Sequence, residues 1–292
     1  MILNKIQEKL RIKITQISQI PSELNYRAAL VKHAINLPTL CPRDQLIVDA
    51  CKKEGVYVTS LEDLGLTSTT QLLKAVKSQL DIMEEILPAG CRVRSHIGSH
   101  ATPTYPQIFT VTDLPEFFSW GREKRLLNIT ENYIGLPIAF QGVHLRRDFA
   151  NDKPVTTELW HQDLEDRRML KVIIYLGDVS ENNGPFEYIP KSISPVLSWR
   201  IQSKISRAHA LGISDRELEK IVPRSAWKSC PGPAGTVIFV DPTAVFHHGK
   251  SRKTERAALF FVYTAKQPLR PDHCTQYNDQ TFARPELSLR KG

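Results

Sequence analysis

The feature that most constrains the fold is a succession of short β-prone segments between about residue 91 and residue 264. Clusters of Gly, Pro, Asn and Asp separate these segments, and helical segments do not alternate regularly with them, so parallel βαβ units are disfavoured. The pattern predicts a mainly β protein with helices, built on a β-sandwich or jelly roll. The expected strands cover residues 138–145, 156–163, 170–176, 186–189, 235–240, 245–248 and 257–264.

The first ninety residues have a helical pattern instead. A helix beginning at Pro42 ends at Gly55, a short strand follows at 56–59, and a further helix runs from the capping residues 68–70 to about Leu87. Before them, apolar residues recur at helical spacing and predict an amphipathic surface helix. These residues are Ile2, Leu3, Ile6, Leu10 and Ile14.

Two helical stretches interrupt the β region. The first covers residues 114–133, and the second is an insertion at 194–221 in which Ser214 and Glu217 form a capping box. The insertion lies between core strands, where a lid over a site is commonly placed. We therefore expect one domain over residues 1–292. It would comprise a helical N-terminal layer (1–90), a jelly-roll core (91–270) with a helical insertion (194–222), and a C-terminal tail (271–292).

Composition limits the classes of function. The net charge is +8, but the basic residues are spread along the chain and are not interleaved with aromatic residues, so a nucleic-acid partner is not expected. A positive cleft would instead attract a small anionic substrate. No apolar run approaches the roughly 18 residues of a membrane span, and the N-terminus lacks the pattern of a signal peptide. Five scattered cysteines fit a reducing compartment, so a cytoplasmic protein is expected, of unspecified oligomeric state.

A His-x-Asp motif lies in the second expected strand. Because side chains of a strand alternate between its faces, His161 and Asp163 would share one face and Gln162 would point away. One histidine and one aspartate make two-thirds of a 2-His-1-carboxylate iron site, which leaves three coordination positions open. The motif alone is weak evidence, because such a tripeptide is frequent by chance.

The candidates for a third ligand are His247 and His248. They follow an apolar strand and a turn containing proline, and Arg256 comes nine residues after His247 at the start of another strand. The pair His96 and His100 is a weaker candidate, because its surroundings are not helical and the spacing would not place both on one side. The remaining histidines stand alone and are expected to be structural: His33, His144, His209 and His273.

Residues 160–192 and 235–265 together resemble the phytanoyl-CoA dioxygenase-like branch of the Fe(II)- and 2-oxoglutarate-dependent oxygenases. The resemblance implies a double-stranded β-helix (jelly roll, cupin-like). It also implies that His161 and Asp163 are the proximal metal ligands, His247 is the distal ligand, and Arg256 binds the distal carboxylate of 2-oxoglutarate. The interval from His247 to Arg256 is slightly shorter than expected, and the doubled histidine leaves His248 as an alternative ligand.

The resemblance further implies Fe(II) as cofactor, with 2-oxoglutarate and O2 as co-substrates. The products would be a hydroxylated small molecule, succinate and CO2. Related halogenases lack the carboxylate ligand, so Asp163 favours hydroxylation, desaturation or another oxidative outcome. Gln141 and Gln162 would either hydrogen-bond 2-oxoglutarate or support strands. An anionic substrate would meet some of the basic residues near the motif, although a solvated rim explains most of them: Arg146, Arg147, Arg167, Arg168 and Lys171.

Two alternatives belong to other classes of protein. A hydrolase or isomerase could use the same triad to hold zinc or another divalent metal, and it would need neither Arg256 nor 2-oxoglutarate. A non-catalytic binding protein that retains the fold would bind metal weakly and consume no co-substrate.

Overall fold

The computed structural model describes residues 21–90, 105–150, 154, 156–193, 201, 212–250, 252–279 and 281–285. The amphipathic helix expected at the N-terminus, the His96 and His100 pair, and most of the first part of the insertion, 194–210, lie outside these residues.

Two antiparallel sheets form the core of the fold. The larger sheet has the strand order β1-β7-β4-β9-β3-β2, and the smaller has the order β6-β5-β8. Residues of both sheets line one cavity and pack in one apolar cluster, so the sheets face each other as in a jelly roll. The predicted jelly roll is confirmed. The strands are β1 (Val56–Ser60), β2 (Gln107–Thr110), β3 (Ile138–Asp148), β4 (Met169–Tyr175), β5 (Phe186–Ile189), β6 (Lys228–Cys230), β7 (Thr236–Val240), β8 (Phe246–Gly249) and β9 (Arg256–Ala265).

Most of the helices lie before β3 in the chain and cover one face of the larger sheet. Residues 21–33 are helical, and the other helices are α1 (Pro42–Glu54), α2 (Leu61–Leu64), α3 (Thr69–Gly90), α4 (Pro115–Gly121), α5 (Lys124–Ile134) and α6 (Asp215–Glu219). Helix α1 begins and ends as predicted, with Gly55 in the left-handed conformation at its end. The single helix expected at 114–133 is two helices, α4 and α5. Within the described ranges, none of the helices combines the length and the apolar character that a membrane crossing requires.

The two faces of the larger sheet have different partners because side chains alternate along each strand. On β4, Leu170, Val172 and Ile174 pack with the helices in the main apolar core. Lys171, Ile173 and Tyr175 point the other way and line the cavity between the sheets. The alternation on this strand therefore separates the residues that stabilise the fold from those available for chemistry.

A β-bulge in β3 decides which of its residues face the cavity. The register with β9 shifts between Phe140 and Gly142, and an extra residue on one strand reverses the facing of the residues after it. Phe140 packs on the helical side, whereas His144 and Arg146, also even-numbered, line the cavity. Gly142 has φ +137°, a conformation that side chains rarely adopt.

Candidate metal centre and cavity

Three ligand-type side chains converge between the sheets. Nε2 of His161 lies 3.6 Å from Oδ1 of Asp163, and Nε2 of His247 lies 3.8 Å from the same oxygen. One donor atom from each residue falls within 4.8 Å of the other two. The structure thus brings together the three residues that the family resemblance implies as metal ligands.

The segment that carries His161 and Asp163 is not the predicted strand. Residues Thr156–Glu158 form a 3-10 turn, and only isolated bridges follow, at Trp160 and His161. His161 and His247 exchange two backbone hydrogen bonds of 3.0 Å, and the Asp163 N–H donates to the Pro242 carbonyl. Long-range pairing with β8 and the preceding turn therefore positions the motif, instead of a regular strand.

Hydrogen bonds on Nδ1 orient both imidazoles. Nδ1 of His161 lies 2.7 Å from the Leu159 carbonyl, and Nδ1 of His247 lies 3.2 Å from the Val245 carbonyl. A carbonyl can only accept, so each Nδ1 carries the proton and each Nε2 presents its lone pair to the cluster. This is the tautomer that a metal ligand requires.

Electrostatics keep the histidines neutral and the aspartate ionised. Burial lowers the pKa of His247 to about 3 and also lowers the pKa of His161. Burial alone would raise the pKa of Asp163, but the charge of Lys171 and its hydrogen bond to the carboxylate outweigh burial, and the pKa is lowered to about 2. Two neutral nitrogens and one carboxylate oxygen fit a divalent first-row metal such as Fe(II).

Lys171 holds the second oxygen of Asp163. Its ammonium contacts Oδ2 of Asp163 and lies 4.0 Å from Oε1 of Glu165. The Tyr277 hydroxyl donates to that Glu165 oxygen over 2.9 Å. Asp163 is therefore left with one oxygen, Oδ1, directed at the histidines, which suits a ligand that binds through a single oxygen. The sequence predicts for Lys171 a contact with an anionic substrate or a place on the solvated rim, whereas the structure places it on Asp163; alternation along β4 is the signal that could have found it.

His248 points away from the cluster. Its Nε2 lies 2.8 Å from Oε2 of Glu187 and its Nδ1 lies 2.9 Å from the Glu158 carbonyl. The ring also stacks on Trp160, with centroids 4.0 Å apart. Both ring nitrogens are thus engaged in the protein, and the geometry favours His247 over His248 as the distal ligand.

A cavity of about 250 Å³ adjoins the triad. One part of its wall is apolar and aromatic, and the rest carries charged or polar side chains, a combination typical of small-molecule sites. Its lining includes residues of the C-terminal segment, so the tail expected at 271–292 contributes to the site. The lining residues outside the triad include Ile108, His144, Arg146, Thr157, Glu165, Lys171, Ile173, Tyr175, Phe186, Phe260, Gln276, Tyr277 and Phe282, together with Arg256.

Arg256 begins β9 and is buried at the cavity wall. Its Nη2 donates to Oδ2 of Asp148 over 2.9 Å, and its Nη1 donates to the Gly184 carbonyl. Its Nε is buried and has no acceptor among the described residues. A buried donor without an acceptor calls for an explanation, and a bound carboxylate would supply one.

Asp148 is the centre of a buried charge cluster that the motifs did not indicate. It is fully buried and accepts from Nε of Arg146 over 2.7 Å. Arg252 lies 3.6 Å from the same oxygen and pairs with Glu158 at 2.7 Å. Burial alone would raise the pKa of Asp148, but the three guanidinium groups hold it well below its usual range. Alternation along β3 is the only sequence signal for Asp148. No local signal points to Glu158 or Arg252.

The two glutamines proposed for 2-oxoglutarate do not line the cavity. Gln162 donates to the Thr243 carbonyl over 3.0 Å, and Gln141 donates to the Thr264 hydroxyl over 2.6 Å. These contacts agree with the alternative role of supporting strands.

The basic residues near the motif divide between the cavity and the outside. Arg146 and Lys171 line the cavity. Arg147 pairs with Glu84 and Glu255, and Arg167 pairs with Glu23 at 3.2 Å. Of the five basic residues, two thus face the site.

Comparison with known proteins gives one family and a set of similar folds. The family model described as phytanoyl-CoA dioxygenase (PhyH) matches residues 98–258, more than half of the chain. A search of curated proteins found no match. Among the similar solved structures, one of SnoN holds Fe³⁺ and α-ketoglutarate, and one of EctD holds Fe.

Three of these structures illustrate the similarity. AviO1 from Streptomyces viridochromogenes Tue57 is 14% identical with a TM-score of 0.51, over 79% of this chain and 98% of that protein. EctD from S. alaskensis with bound Fe is 17% identical with a TM-score of 0.50, over 84% of each chain. The epimerase SnoN, in complex with Fe³⁺, α-ketoglutarate and nogalamycin RO, is 14% identical with a TM-score of 0.50, over 76% of this chain and 84% of SnoN. Identities this low show a shared fold.

Proposed function

The chain belongs to the phytanoyl-CoA dioxygenase family, and from that premise we propose that it is an Fe(II)- and 2-oxoglutarate-dependent oxygenase. We further propose that it hydroxylates a small molecule and releases succinate and CO2. The observation that carries the proposal is the convergence of two correctly oriented imidazoles and one carboxylate oxygen on a cavity that also holds a buried arginine.

His161, Asp163 and His247 would hold the iron. Their Nδ1 hydrogen bonds fix the rings, and Lys171 fixes the carboxylate. Iron held there would activate O2, which is the oxidant: one oxygen atom enters succinate as 2-oxoglutarate loses CO2, and the other is available to oxidise a C–H bond. Three protein ligands leave coordination positions open for the co-substrates.

Arg256 would receive the distal carboxylate of 2-oxoglutarate. Its guanidinium is planar and permanently charged, and it is buried where water competes little for the carboxylate. Asp148 and the Gly184 carbonyl hold the guanidinium in place. The protein would thereby select a dicarboxylic 2-oxoacid over one that lacks the distal charge.

A small substrate is supported by the size of the cavity, about 250 Å³. Hydroxylation is supported by Asp163, because a carboxylate ligand on the metal favours oxygen transfer over halogenation. The similar protein SnoN is an epimerase, so hydroxylation as the outcome of the reaction belongs to the proposal. We also propose that residues 1–292 form one domain. A cytoplasmic location is proposed as well, and the free thiols of four cysteines support it: Cys41, Cys51, Cys230 and Cys274.

The test is anaerobic titration of the purified protein with Fe(II) and then 2-oxoglutarate. Wild type should develop the weak visible charge-transfer band of an iron-chelated 2-oxoacid. His161→Ala, Asp163→Ala and His247→Ala should not develop it, because each lacks one ligand. The matched control is His273→Ala, which removes a partly exposed histidine that pairs only with Asp272 in the described structure, and it should behave as wild type.

Two results would redirect the proposal. Metal binding without the band at saturating 2-oxoglutarate would favour a metal-dependent hydrolase or isomerase, and weak metal binding in wild type would favour a binding protein. If the band forms, candidate substrates are screened by succinate release, and the mass of the product is measured by mass spectrometry. Gain of one oxygen atom indicates hydroxylation, loss of two hydrogens indicates desaturation, and an unchanged mass indicates epimerisation.

A further inference from the structure

Arg146 and Arg256 are joined through one carboxylate at the same cavity wall. Arg146 donates from Nε to Oδ1 of Asp148 over 2.7 Å, and Arg256 donates from Nη2 to Oδ2 over 2.9 Å. The register of β3 and β9 places Asp148 opposite Arg256 and Arg146 opposite Ala258. Both arginines line the cavity. Asp148 therefore holds two neighbouring cations in fixed positions at one end of the site.

The cluster carries one positive charge in excess. Arg252 is paired with Glu158 at 2.7 Å, so Arg146 and Arg256 share the single charge of Asp148 within the described part of the chain. A buried charge that lacks a counter-ion is unfavourable. One ligand carboxylate would neutralise the excess positive charge, and a second would leave the cluster with a net negative charge.

Each of the two guanidinium groups keeps donors for that ligand. Arg146 uses Nε for Asp148 and Nη1 for the Thr157 hydroxyl, at 3.1 Å. Arg256 uses its two terminal nitrogens for Asp148 and Gly184, and its buried Nε has no acceptor in the described structure. Arg147, the next residue along β3, contacts Glu84 and Glu255 instead and does not line the cavity.

We infer that the distal carboxylate of 2-oxoglutarate is bound by Arg146 together with Arg256, with Asp148 as the positioning residue of this two-arginine clamp. The inference rests on the proposed function and adds a second cation to its co-substrate site. It also assigns Arg146 to the co-substrate in preference to an anionic group of the substrate.

The experiment measures affinity for two 2-oxoacids from the anaerobic charge-transfer band with Fe(II), in the absence of substrate. The ligands are 2-oxoglutarate and 2-oxobutyrate, which chelates in the same way but lacks the distal carboxylate. Arg146→Gln should weaken 2-oxoglutarate binding by about 10- to 100-fold, the range for a lost charge-assisted hydrogen bond. It should leave 2-oxobutyrate binding unchanged. Arg146→Lys, which keeps the charge but not the fork, should weaken 2-oxoglutarate less.

Arg147→Gln is the matched control, because it removes the same side chain one residue away on the opposite face. The clamp is overturned if Arg146→Gln binds 2-oxoglutarate as Arg147→Gln does, or if it weakens both 2-oxoacids equally, which would indicate only structural damage. In either case a wild-type band leaves the proposed function standing. Absence of a band in wild type with both 2-oxoacids overturns the proposed function and the clamp together.

Discussion

The substitution Asp148→Asn removes the charge that unites the arginine cluster while keeping nearly the same shape. Asp148 is fully buried and is the only carboxylate in hydrogen-bond contact with both Arg146 and Arg256 among the described residues. The variant retains one acceptor oxygen, but its amide group is a donor and cannot accept from the second guanidinium. We expect the native state to lose stability as a result.

The magnitude follows from the burial of the pair. Removal of one partner from a buried ion pair typically costs about 3–5 kcal/mol, because the remaining charge stays buried without compensation. The retained acceptor oxygen places Asp148→Asn at the lower end, about 3 kcal/mol. The free energy of unfolding is measured by urea denaturation of the apoprotein, followed by the fluorescence of the buried Trp120 and Trp160.

The stability that Asp148 contributes should be lost at low pH. The folded-state pKa of Asp148 is held below its ordinary value, so its contribution to stability is complete above the unfolded-state pKa of about 3.9. It is lost progressively as the pH falls through the folded-state pKa, because the unfolded chain then binds the proton more readily than the folded protein. The difference in free energy of unfolding between wild type and Asp148→Asn should therefore decrease below about pH 4.

The control is Asp113→Asn, which alters an exposed aspartate paired with Arg284. Surface pairs contribute about 0–1 kcal/mol, so this variant should remain near wild type. A loss of less than about 1 kcal/mol in Asp148→Asn would refute the reasoning about the cluster. If the difference in free energy of unfolding between wild type and Asp148→Asn stays constant from about pH 7 to about pH 3.5, the loss of stability does not come from an ionised carboxylate.

Two further predictions concern the bulge and the doubled histidine. Gly142→Ala should lower the free energy of unfolding by about 2 kcal/mol or more, because φ is +137° and an added Cβ would lie 2.3 Å from the Tyr277 carbonyl oxygen. Gly177→Ala, where no heavy atom lies within 4 Å, should unfold close to wild type, and equal losses would contradict the steric argument. His248→Gln should lower the free energy of unfolding by about 1–3 kcal/mol, because Oε2 of Glu187 loses its buried hydrogen bond to the His248 ring. It should nevertheless bind Co(II) as tightly as wild type by calorimetry, and a tenfold loss of affinity would instead identify His248 as the ligand.

Local sequence signals predicted most of the secondary structure because the responsible interactions are themselves local. Pro42 and Gly55 bracket α1, and Ser214 and Glu217 form the expected capping box at α6. A β-prone run predicted a strand at 170–176, and β4 covers Met169–Tyr175. These elements required no information from distant parts of the chain.

The interpretation of residues 156–163 failed for the opposite reason. Their β-branched and aromatic residues predicted a strand, but within this segment only Trp160 and His161 form β-bridges, with Ile213 and His247. The preceding turn places Glu158 beside Arg252. Tertiary partners from more than fifty residues away override the local propensity here. His161 and Asp163 lie together at the cluster, but a turn and isolated bridges position them, so the strand expected at 156–163 was wrong.

The identity of the charged residues in the cavity depends on a single backbone irregularity. Alternation along 138–145 as a regular strand would place Phe140, His144 and Arg146 on one face. The bulge before Gly142 separates them, so Phe140 packs with Tyr263 on the helical side, whereas Arg146 faces the cavity. The Tyr277 carbonyl and the Thr112 hydroxyl contact the bulge so closely that only glycine fits. The C-terminal segment that lines the site thus also fixes the register that directs Arg146 into it, and a register slip of one residue would leave Arg147 in the place of the second cation.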